Sequence, residues 1–535
     1  MWRAGWCDVY LDGTVNSTLL SRLRSDLRGA HFAVDALDAL WGEQAAAALF
    51  RGQRVPALRE LARLEQLARA AGKSPEPAAA LAALFMFGMP QPRDTVAAAL
   101  PALGVEGAIE LGLVAADDGV RPLIDLRPYE FTDAHGAGQW WIASDLGEVS
   151  SGAALRPDHV LGVGGASMTL TGLMIASQAN AAAGTVLDLG TGCGIQAMHA
   201  SRHARHVVAT DISERALWFA ALNAELNEID TIELRSGSLF HPVVGETFDQ
   251  VVSNPPFVIT PRAEGVPAYE YRDGGMVGDA LVAEVIRGMA THLAAGGIAQ
   301  LLGNWEYRDE EDGLDRVRGW IESAAGTGLD AWVIEREVQD VASYAETWIR
   351  DGGTKPGTPE FDRLYGAWLD DFGERGVARV GFGYILLRRR ADAAAGFRRI
   401  ERLHAPLGAN AAGLGEHLAT CLAAQAWQAG LSDESLLLAT LTVASDVTEE
   451  RHYWPGDADP TVITLRQGGG FGRTVEAGTA FAALVGACDG ELSIRAICAA
   501  LAELLGADEA ALTAELLPSV RELVSTGILL APGVR

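Results

Sequence analysis

A turn containing three glycines restricts most strongly what this chain can fold into. Residues Val186 to Leu189 are apolar except for one aspartate and predict a buried strand. Gly190, Gly192 and Gly194 follow, and the residues after them predict a helix. Glycine permits positive φ in such a turn and lets a ligand lie against the backbone. The third glycine comes too early for a dinucleotide fingerprint, and no lysine follows as in a P-loop, so pyrophosphate is not the obvious ligand.

A second apolar segment ends in an acidic residue. Residues Val207 to Thr210 predict a strand, and Asp211 follows at its carboxyl end, about 20 residues after the glycine turn. A carboxylate in this place can accept hydrogen bonds from both hydroxyls of a ribose. An adenosine without a phosphate chain therefore fits the glycine spacing and the acid together.

Strands alternate with helices from about residue 150 to residue 390, which predicts an α/β fold with a parallel sheet. The polar stretch from Glu337 to Glu374 is interpreted as an insertion before the last strand, and it is a candidate lid. The seven predicted strands are Thr185 to Leu189, His206 to Thr210, Thr231 to Arg235, Phe248 to Ser253, Ile298 to Leu302, Ala331 to Glu335 and Gly381 to Leu387.

The glycine turn, Asp-Leu-Gly-Thr-Gly-Cys-Gly from Asp188, and the later Thr-Asp-Ile-Ser from Thr210 resemble the first two motifs of class I S-adenosylmethionine (SAM) dependent methyltransferases. The resemblance covers about 240 residues. It implies SAM as the cofactor and a Rossmann-like sheet of seven strands, the last of them antiparallel.

The same resemblance assigns roles to single residues. Asp188, Gly190, Gly192 and Gly194 would line the methionine and sulfonium end of SAM, and Asp211 would hold the ribose. Family members often carry an acid for the adenine amine after the third strand. This sequence has a serine there, Ser238, which can still accept a hydrogen bond.

Two prolines follow the predicted strand that ends at Ser253, in the order Asn254, Pro255, Pro256 and Phe257. Consecutive prolines fix φ and remove N–H donors, so this segment is rigid and presents carbonyl oxygens. The Asn254 amide oxygen and the Pro255 carbonyl can hold both hydrogens of a planar NH2 group, while Phe257 stacks on that group. No strong general base is needed, because the proton becomes acidic once the nitrogen is methylated, so positioning provides most of the catalysis.

This Asn-Pro-Pro-Phe segment resembles the motif of N-methyltransferases that act on adenine N6, guanine N2 or a glutamine amide. Tyr271 and Arg272 lie in a stretch that resembles the glutamine methyltransferases of peptide release factors, and both are candidate substrate contacts. Asn254 is also a candidate cofactor contact. The net charge of −28 favours a protein or peptide substrate over RNA or DNA. A catalytically weak scaffold that binds a peptide partner is the third alternative.

Three domains are predicted. Residues 1–145 form a helical, winged-helix-like domain, residues 150–390 the methyltransferase domain, and residues 391–535 a helical and winged-helix-like domain. Within the last of these, residues 391–444 are expected to be helical, and the final residues are a candidate peptide-docking unit.

Other signals in the sequence suggest less specific roles. The longest apolar run is too short for a membrane span and no signal peptide is evident, so we expect a cytoplasmic protein. His199 and His203 are spaced like metal ligands, but the glutamate of the zinc motif is missing, and we expect no metal. An arginine cluster predicts an ion-pair network, with RNA or acidic-protein contact as the alternative; its members are Arg388, Arg389, Arg390, Arg398, Arg399 and Arg402.

Overall fold

The first described part of the chain is helical. The computed structural model of the protein describes residues 16–147, 155–176, 183–267, 269–309, 311–324, 328–391 and 396–533. Helix α1 begins at Ser17 because the side chain of Asn16 accepts a hydrogen bond from the Leu19 N–H, 3.2 Å away. The helices of this part are α1 (Ser17–Gly29), α2 (Val34–Trp41), α3 (Glu43–Phe50), α4 (Val55–Ala70), α5 (Pro77–Leu81), the π-helical turn Ala82–Met86, α6 (Arg93–Ala99) and α7 (Gly104–Glu110).

Two antiparallel hairpins follow these helices and reach the next domain. Strands β1 (Val114–Ala116) and β2 (Val120–Pro122) form the first, and β3 (Ile124–Asp133) and β4 (Gly136–Asp145) the second. Asn223 joins the second hairpin to the central domain: its side chain bonds both the N–H and the carbonyl of Ala143, at 2.7 and 2.9 Å. The same amide donates to the Cys193 carbonyl at 2.8 Å, so the hairpin is attached directly to the glycine turn.

An eight-stranded sheet forms the centre of the molecule, in the order β12-β10-β11-β9-β8-β5-β6-β7. Strands β5 to β9 pair in parallel, β11 is antiparallel to both β9 and β10, and β12 is parallel to β10. The strands are β5 (Ala183–Leu189), β6 (Ala204–Asp211), β7 (Ile232–Ser236), β8 (Phe248–Ser253), β9 (Leu293–Arg308), β10 (Leu329–Asp340), β11 (Val377–Arg389) and β12 (Arg398–Arg402).

Each of the seven predicted strands overlaps a strand of this sheet, and β11 has the antiparallel direction that the family resemblance implies. The prediction of seven strands was nevertheless wrong by one. Strand β12 extends the sheet, and it falls within the 391–444 segment that was expected to be helical. Its sequence, Arg-Arg-Ile-Glu-Arg, lacks the apolar alternation of a strand because its charged side chains are paired instead.

Helices cover both faces of this sheet, as parallel pairing requires. Two of them, α13 and α14, occupy the stretch interpreted as an insertion, between β10 and β11. The helices are α8 (Gly165–Leu173), α9 (Ile195–Ala200), α10 (Glu214–Leu226), the 3-10 turn His241–Val243, α11 (Ala280–His292), α12 (Gly313–Ala324), α13 (Val341–Asp351) and α14 (Pro359–Glu374).

The last part of the chain combines helices with two small antiparallel sheets, β17-β13-β18 and β14-β15-β16. Residues 440–443 form a strand, where helix was expected, because they pair with two neighbouring strands. The winged-helix character of the two terminal parts stays a prediction. The elements are α15 (Gly415–Ala429), α16 (Asp433–Leu437), β13 (Thr440–Val443), β14 (Val447–His452), β15 (Val462–Gln467), β16 (Thr474–Ala477), α17 (Thr479–Gly486), β17 (Asp489–Ser493), α18 (Ile494–Leu505), α19 (Glu509–Ser525) and β18 (Leu529–Leu530).

The arginine cluster forms the predicted ion-pair network at this end of the sheet. Arg388 bonds the buried Asp330 at 2.5 Å, and Arg399 bonds Glu401 at 2.8 Å and Glu522 at 2.6 Å. Burial alone would raise the pKa of Glu401, but hydrogen bonds from Arg473 and Arg399 outweigh it and lower that pKa to about 2. Among the described residues, no helix combines the length and the apolar character needed to cross a membrane.

Candidate active site

A cavity of about 610 Å³ opens at the carboxyl ends of β5, β6 and β8. Ligands bind at this edge of open α/β sheets, because strand ends and following loops leave a crevice there. The cavity brings together ten of the residues predicted from sequence, which are Gly190, Gly192, Asp211, Ser238, Asn254, Pro255, Pro256, Phe257, Tyr271 and Arg272.

The first two glycines of the turn form an open cradle. Gly190 and Gly192 have φ of 75° and 55°, the left-handed region that favours glycine. A Cβ built on either residue would meet no atom within 4 Å, although both residues line the cavity. The space beside this backbone is therefore available to a ligand.

The Asp211 carboxylate lies at the end of β6 beside this cradle. One oxygen accepts a hydrogen bond from the Gly192 N–H and the other from the Ser213 N–H, each at 2.9 Å. Burial raises the pKa of Asp211 above its ordinary value. These bonds fix the carboxylate in one orientation, and its remaining lone pairs can accept hydroxyl donors.

Asp188 and Gly194 do not line the cavity, contrary to the expectation that they would contact the cofactor directly. Asp188 is fully buried, and its Oδ2 accepts bonds from Thr191 at 2.6 Å and from the Ala197 N–H at 2.9 Å. Burial raises its pKa to about 7, and its Oδ1 has no hydrogen-bond partner in the part of the chain that the structure describes. A Cβ on Gly194 would lie 3.0 Å from the Ala220 Cα, so this glycine allows the turn to pack on α10.

Ser238 lines the cavity beyond β7, and its contact with the adenine stays a prediction. The sequence analysis missed Ile212, which also lines the cavity and is 66% exposed there. Its signal was present in the sequence, because it directly follows the acid that ends β6. An exposed apolar side chain beside the Asp211 carboxylate offers an apolar surface on which a planar ring can pack.

The segment after β8, here called the proline loop (residues 254–260), forms the opposite wall. The Oδ1 atom of Asn254 is buried and has no hydrogen-bond partner among the described residues. The Pro255 carbonyl accepts a bond from the Phe257 N–H at 2.7 Å and keeps a second lone pair. The Phe257 ring is 9% exposed and lies 5.7 Å from the Phe382 ring.

Tyr271 and Arg272 lie beside the proline loop and are held by the insertion. Arg272 donates from Nη1 to the Trp348 carbonyl at 2.7 Å and to Asp351 at 3.0 Å, and the Tyr271 hydroxyl donates to the same carboxylate at 3.2 Å. The Arg272 side chain is 6% exposed, and its Nε atom is buried without a partner among the described residues. Arg272 is therefore part of the wall, and its Nε–H is a donor without a partner among the described residues.

The charge of the cavity wall is mainly negative. Its charged residues are four carboxylates and one guanidinium: Asp211, Glu270, Asp273, Asp351 and Arg272. Glu270 is exposed and the Asp351 side chain is 43% exposed, so both lie at the rim. A polyanionic ligand would meet unfavourable charge there.

His199 and His203 are spaced like metal ligands in the sequence, although no metal is expected there. Both are buried, and burial lowers the pKa of His199 to about 3. Their ring Nε2 atoms lie 3.1 Å from the Tyr129 hydroxyl and 2.8 Å from the Gln250 Oε1. Within the described ranges, no group of three or more His, Cys, Asp or Glu residues could hold a metal ion.

Comparison with protein families gives one match over this site. Residues 169–317 match the family model described as the methyltransferase small domain. These residues are a methyltransferase domain. Outside it, residues 29–123 and 419–531 match two further models, each described only as a domain of unknown function.

Three curated relatives of the methyltransferase domain are named as methyltransferases of ribosomal proteins or of a release factor. A ribosomal protein L11 methyltransferase of Lactobacillus johnsonii is 40% identical over 19% of this chain and 32% of its own length. A ribosomal protein uL3 glutamine methyltransferase of Bradyrhizobium diazoefficiens is 30% identical over 28% of this chain and 50% of its own length. A release factor glutamine methyltransferase of Xylella fastidiosa is 34% identical over 27% of this chain and 56% of its own length. The chain thus spans about half the length of these relatives or less.

One similar solved structure is the ribosomal protein L11 methylase of Lactobacillus delbrueckii subsp. bulgaricus. Its sequence is 20% identical to this chain, and the match covers 44% of this chain and 84% of the chain in that structure, with a TM-score of 0.25.

The residues of the methyltransferase domain fit SAM, the methyl donor that the family implies. The glycine cradle has room for a ligand against the backbone, and Asp211 and Ser238, which both carry hydrogen-bond acceptors, line the same cavity. Asn254 lines this cavity as well, and its buried Oδ1 has no hydrogen-bond partner among the described residues. Buried polar atoms are normally paired, so this oxygen has unused hydrogen-bonding capacity.

Proposed function

We propose that the protein is a SAM-dependent N-methyltransferase that acts on a primary carboxamide of a protein or peptide, of the glutamine type. The observation that carries the proposal is the buried Oδ1 of Asn254, which has no hydrogen-bond partner in the described part of the chain and belongs to a proline loop whose residues line the cavity. Such an acceptor suits an NH2 group, which has two hydrogens to donate.

SAM supplies an electrophilic methyl group when it is bound. The backbone of Gly190 and Gly192 would lie along its methionine end, Asp211 would accept its ribose hydroxyls, and Ser238 and Ile212 would contact its adenine. These assignments agree with the open space beside the two glycines and with the fixed orientation of the Asp211 carboxylate.

The proline loop would prepare the nitrogen for attack. An amide nitrogen is a poor nucleophile because its lone pair is delocalised into the carbonyl. Hydrogen bonds to the Asn254 Oδ1 and the Pro255 carbonyl hold both hydrogens and favour a pyramidal nitrogen whose lone pair is available. The buried Phe257 ring offers a face on which the planar amide stacks, and the proton leaves after the new bond has formed.

Arg272 adds a complementary group. Its free Nε–H is a donor, while Asn254 Oδ1 is an acceptor, and both belong to residues that line the same cavity. A primary carboxamide offers one carbonyl oxygen and one NH2 group, so it can use both. This pairing supports Arg272 as a substrate contact.

The charges favour a protein substrate over a nucleic acid. Of the four carboxylates that line the cavity, Asp351 is paired with Arg272 and Asp273 with Arg262, while Asp211 and Glu270 have no ion pair within the described ranges. The insertion from Glu337 to Glu374 contains nine acidic and three basic residues. Phosphate backbones need cations along their path, whereas basic proteins would be attracted. The relatives named as glutamine methyltransferases act on proteins, which also supports this choice.

The test is methyl transfer from radiolabelled SAM to acid-extracted bacterial ribosomal protein and, separately, to total bacterial RNA and to DNA. We expect label in the protein fraction, removable by protease, and N5-methylglutamine after enzymatic digestion to amino acids. Label in RNA or DNA that nuclease removes would contradict the proposal and support base methylation. SAM binding without transfer to any fraction would contradict it in favour of a scaffold.

A further inference from the structure

Helix α13 of the insertion is bonded to the proline loop, although more than 80 residues separate them in sequence. Tyr344 of this helix is 4% exposed, and its hydroxyl oxygen accepts a bond from the Ile259 N–H at 3.0 Å. The same oxygen accepts a bond from the Asn304 side chain on β9, at 2.7 Å. The hydroxyl thus connects the backbone of the proline loop, two residues after Phe257, to the sheet.

A second connection runs from the same helix through Arg272. The Trp348 carbonyl and the Asp351 carboxylate hold the guanidinium, as described above. The backbone carbonyl of Arg272 accepts a bond from the Val258 N–H at 2.9 Å. Two consecutive peptide groups of the proline loop are therefore held, directly or through one residue, by the insertion.

The ring of Tyr344 is fixed by aromatic neighbours. Its centroid lies 6.0 Å from the ring of Trp348, and 6.1 Å from the rings of both Trp368 and Phe372 on α14. Such contacts restrict the side chain to one orientation. Tyr344 does not line the cavity, so it would influence a bound substrate indirectly, through the proline loop or through Trp348, which does line the cavity.

We propose that the insertion positions the proline loop for methyl transfer, and that Tyr344 is the positioning residue. The kinetic part of this proposal rests on the proposed function. Holding both hydrogens of an NH2 group requires the Asn254 and Pro255 oxygens to stay in place. A displacement of the order of 1 Å at such a contact lowers rates by roughly 100-fold.

The test is Tyr344→Phe, which keeps the ring and removes the oxygen that accepts the two N–H groups. We expect kcat with acid-extracted bacterial ribosomal protein to fall by roughly 10- to 100-fold, while the KM for that protein and the Kd of SAM stay at wild-type values. Hydrogen exchange at the Ile259 amide should become faster. The matched control is Tyr365→Phe, whose hydroxyl lies 3.5 Å from Glu346 on the insertion.

A second variant, Asp351→Asn, addresses the Arg272 connection at a partly exposed position that folding tolerates better. We expect faster exchange at the Val258 amide. Wild-type exchange at both amides in both variants would overturn the proposal, as would a fall in kcat matched by an equal loss of SAM affinity. If the wild-type protein transfers no methyl group, the proposed function fails alone, because the exchange measurements need no substrate and still decide whether the insertion holds the loop.

Discussion

The carboxylate of Asp211 accepts a hydrogen bond from the backbone N–H of Gly192, 2.9 Å away. This bond joins the end of β6 to the glycine turn that follows β5, so the two parts of the cavity wall that would hold SAM are fixed to each other. The Ser213 N–H holds the other carboxylate oxygen at the same distance. The acid thus supports the turn, in addition to its proposed role as a ligand contact.

Replacing this acid should weaken cofactor binding. We expect Asp211→Ala to raise the Kd of SAM by roughly 10- to 100-fold, because hydrogen bonds to a charged group contribute about 1.5 to 3 kcal/mol. Isothermal titration calorimetry measures the change, with the exposed Asp230→Ala as control. An unchanged Kd in Asp211→Ala would mean that the ribose lies elsewhere.

Gly192 and Gly194 should respond differently to replacement by alanine, which adds a methyl group to the turn. Gly192→Ala would project a Cβ into the cavity and should reduce SAM affinity by at least about tenfold, with a strain of about 1 to 2 kcal/mol at positive φ. Gly194→Ala adds a contact 3.0 Å from the Ala220 Cα and should cost about 2 to 4 kcal/mol of stability.

Thermal unfolding and SAM titration of the two variants separate these effects. The larger fall in melting temperature is expected for Gly194→Ala and the larger fall in affinity for Gly192→Ala. The reverse order would show that the third glycine, not the second, contacts the ligand.

The central sheet was predictable because its inner strands are buried on both faces. Strands such as β5 and β8 are largely buried, and each contains adjacent β-branched or aliphatic residues, which predict a strand without knowledge of its neighbours. Strand β12 is different, since its arginines and Glu401 are stabilised by Arg473 and Glu522, more than 70 residues away. Partners so far away in the sequence cannot be identified from a local pattern.

The candidate site, like the sheet, could be predicted from the sequence only in part. Motifs at strand ends placed Asp211 and Asn254 at one cavity, because carboxyl ends of parallel strands share an edge of the sheet. Local spacing could not show that Gly194 faces α10 or that Asp188 lies behind the turn. Nor could it show that Asp351 pairs with Arg272, 79 residues earlier, since that contact depends on how the insertion folds back.

The buried Asp188 predicts a pH dependence of stability. Burial raises its pKa to about 7, above that of an unfolded aspartate, so the folded protein binds this proton more tightly. Its contribution to the free energy of unfolding should therefore decline as the pH rises from about 4 to 7, by at most about 1.4 kcal/mol per pH unit.

The variant Asp188→Asn keeps the shape of the side chain and removes the ionisation. Its melting temperature should fall less between pH 5 and pH 7.5 than that of the wild-type protein, while Asp230→Asn should follow the wild type. An equal fall in the wild-type protein and Asp188→Asn would show that Asp188 stays ionised in the folded protein.

The orphan acceptor of Asn254 gives the most direct test of the chemistry. Asn254→Ala removes the buried Oδ1 and leaves the glycine cradle and Asp211 intact, so SAM should bind with its wild-type Kd. Methyl transfer should fall by roughly 100-fold or more, the usual loss when one preorganised polar contact to a reacting group is removed. Single-turnover transfer of labelled methyl to acid-extracted ribosomal protein measures the chemical step apart from product release. Wild-type turnover in this variant would contradict the mechanism, because the nitrogen would then be held by other groups. A parallel loss of SAM affinity would instead assign Asn254 to the cofactor rather than to the substrate.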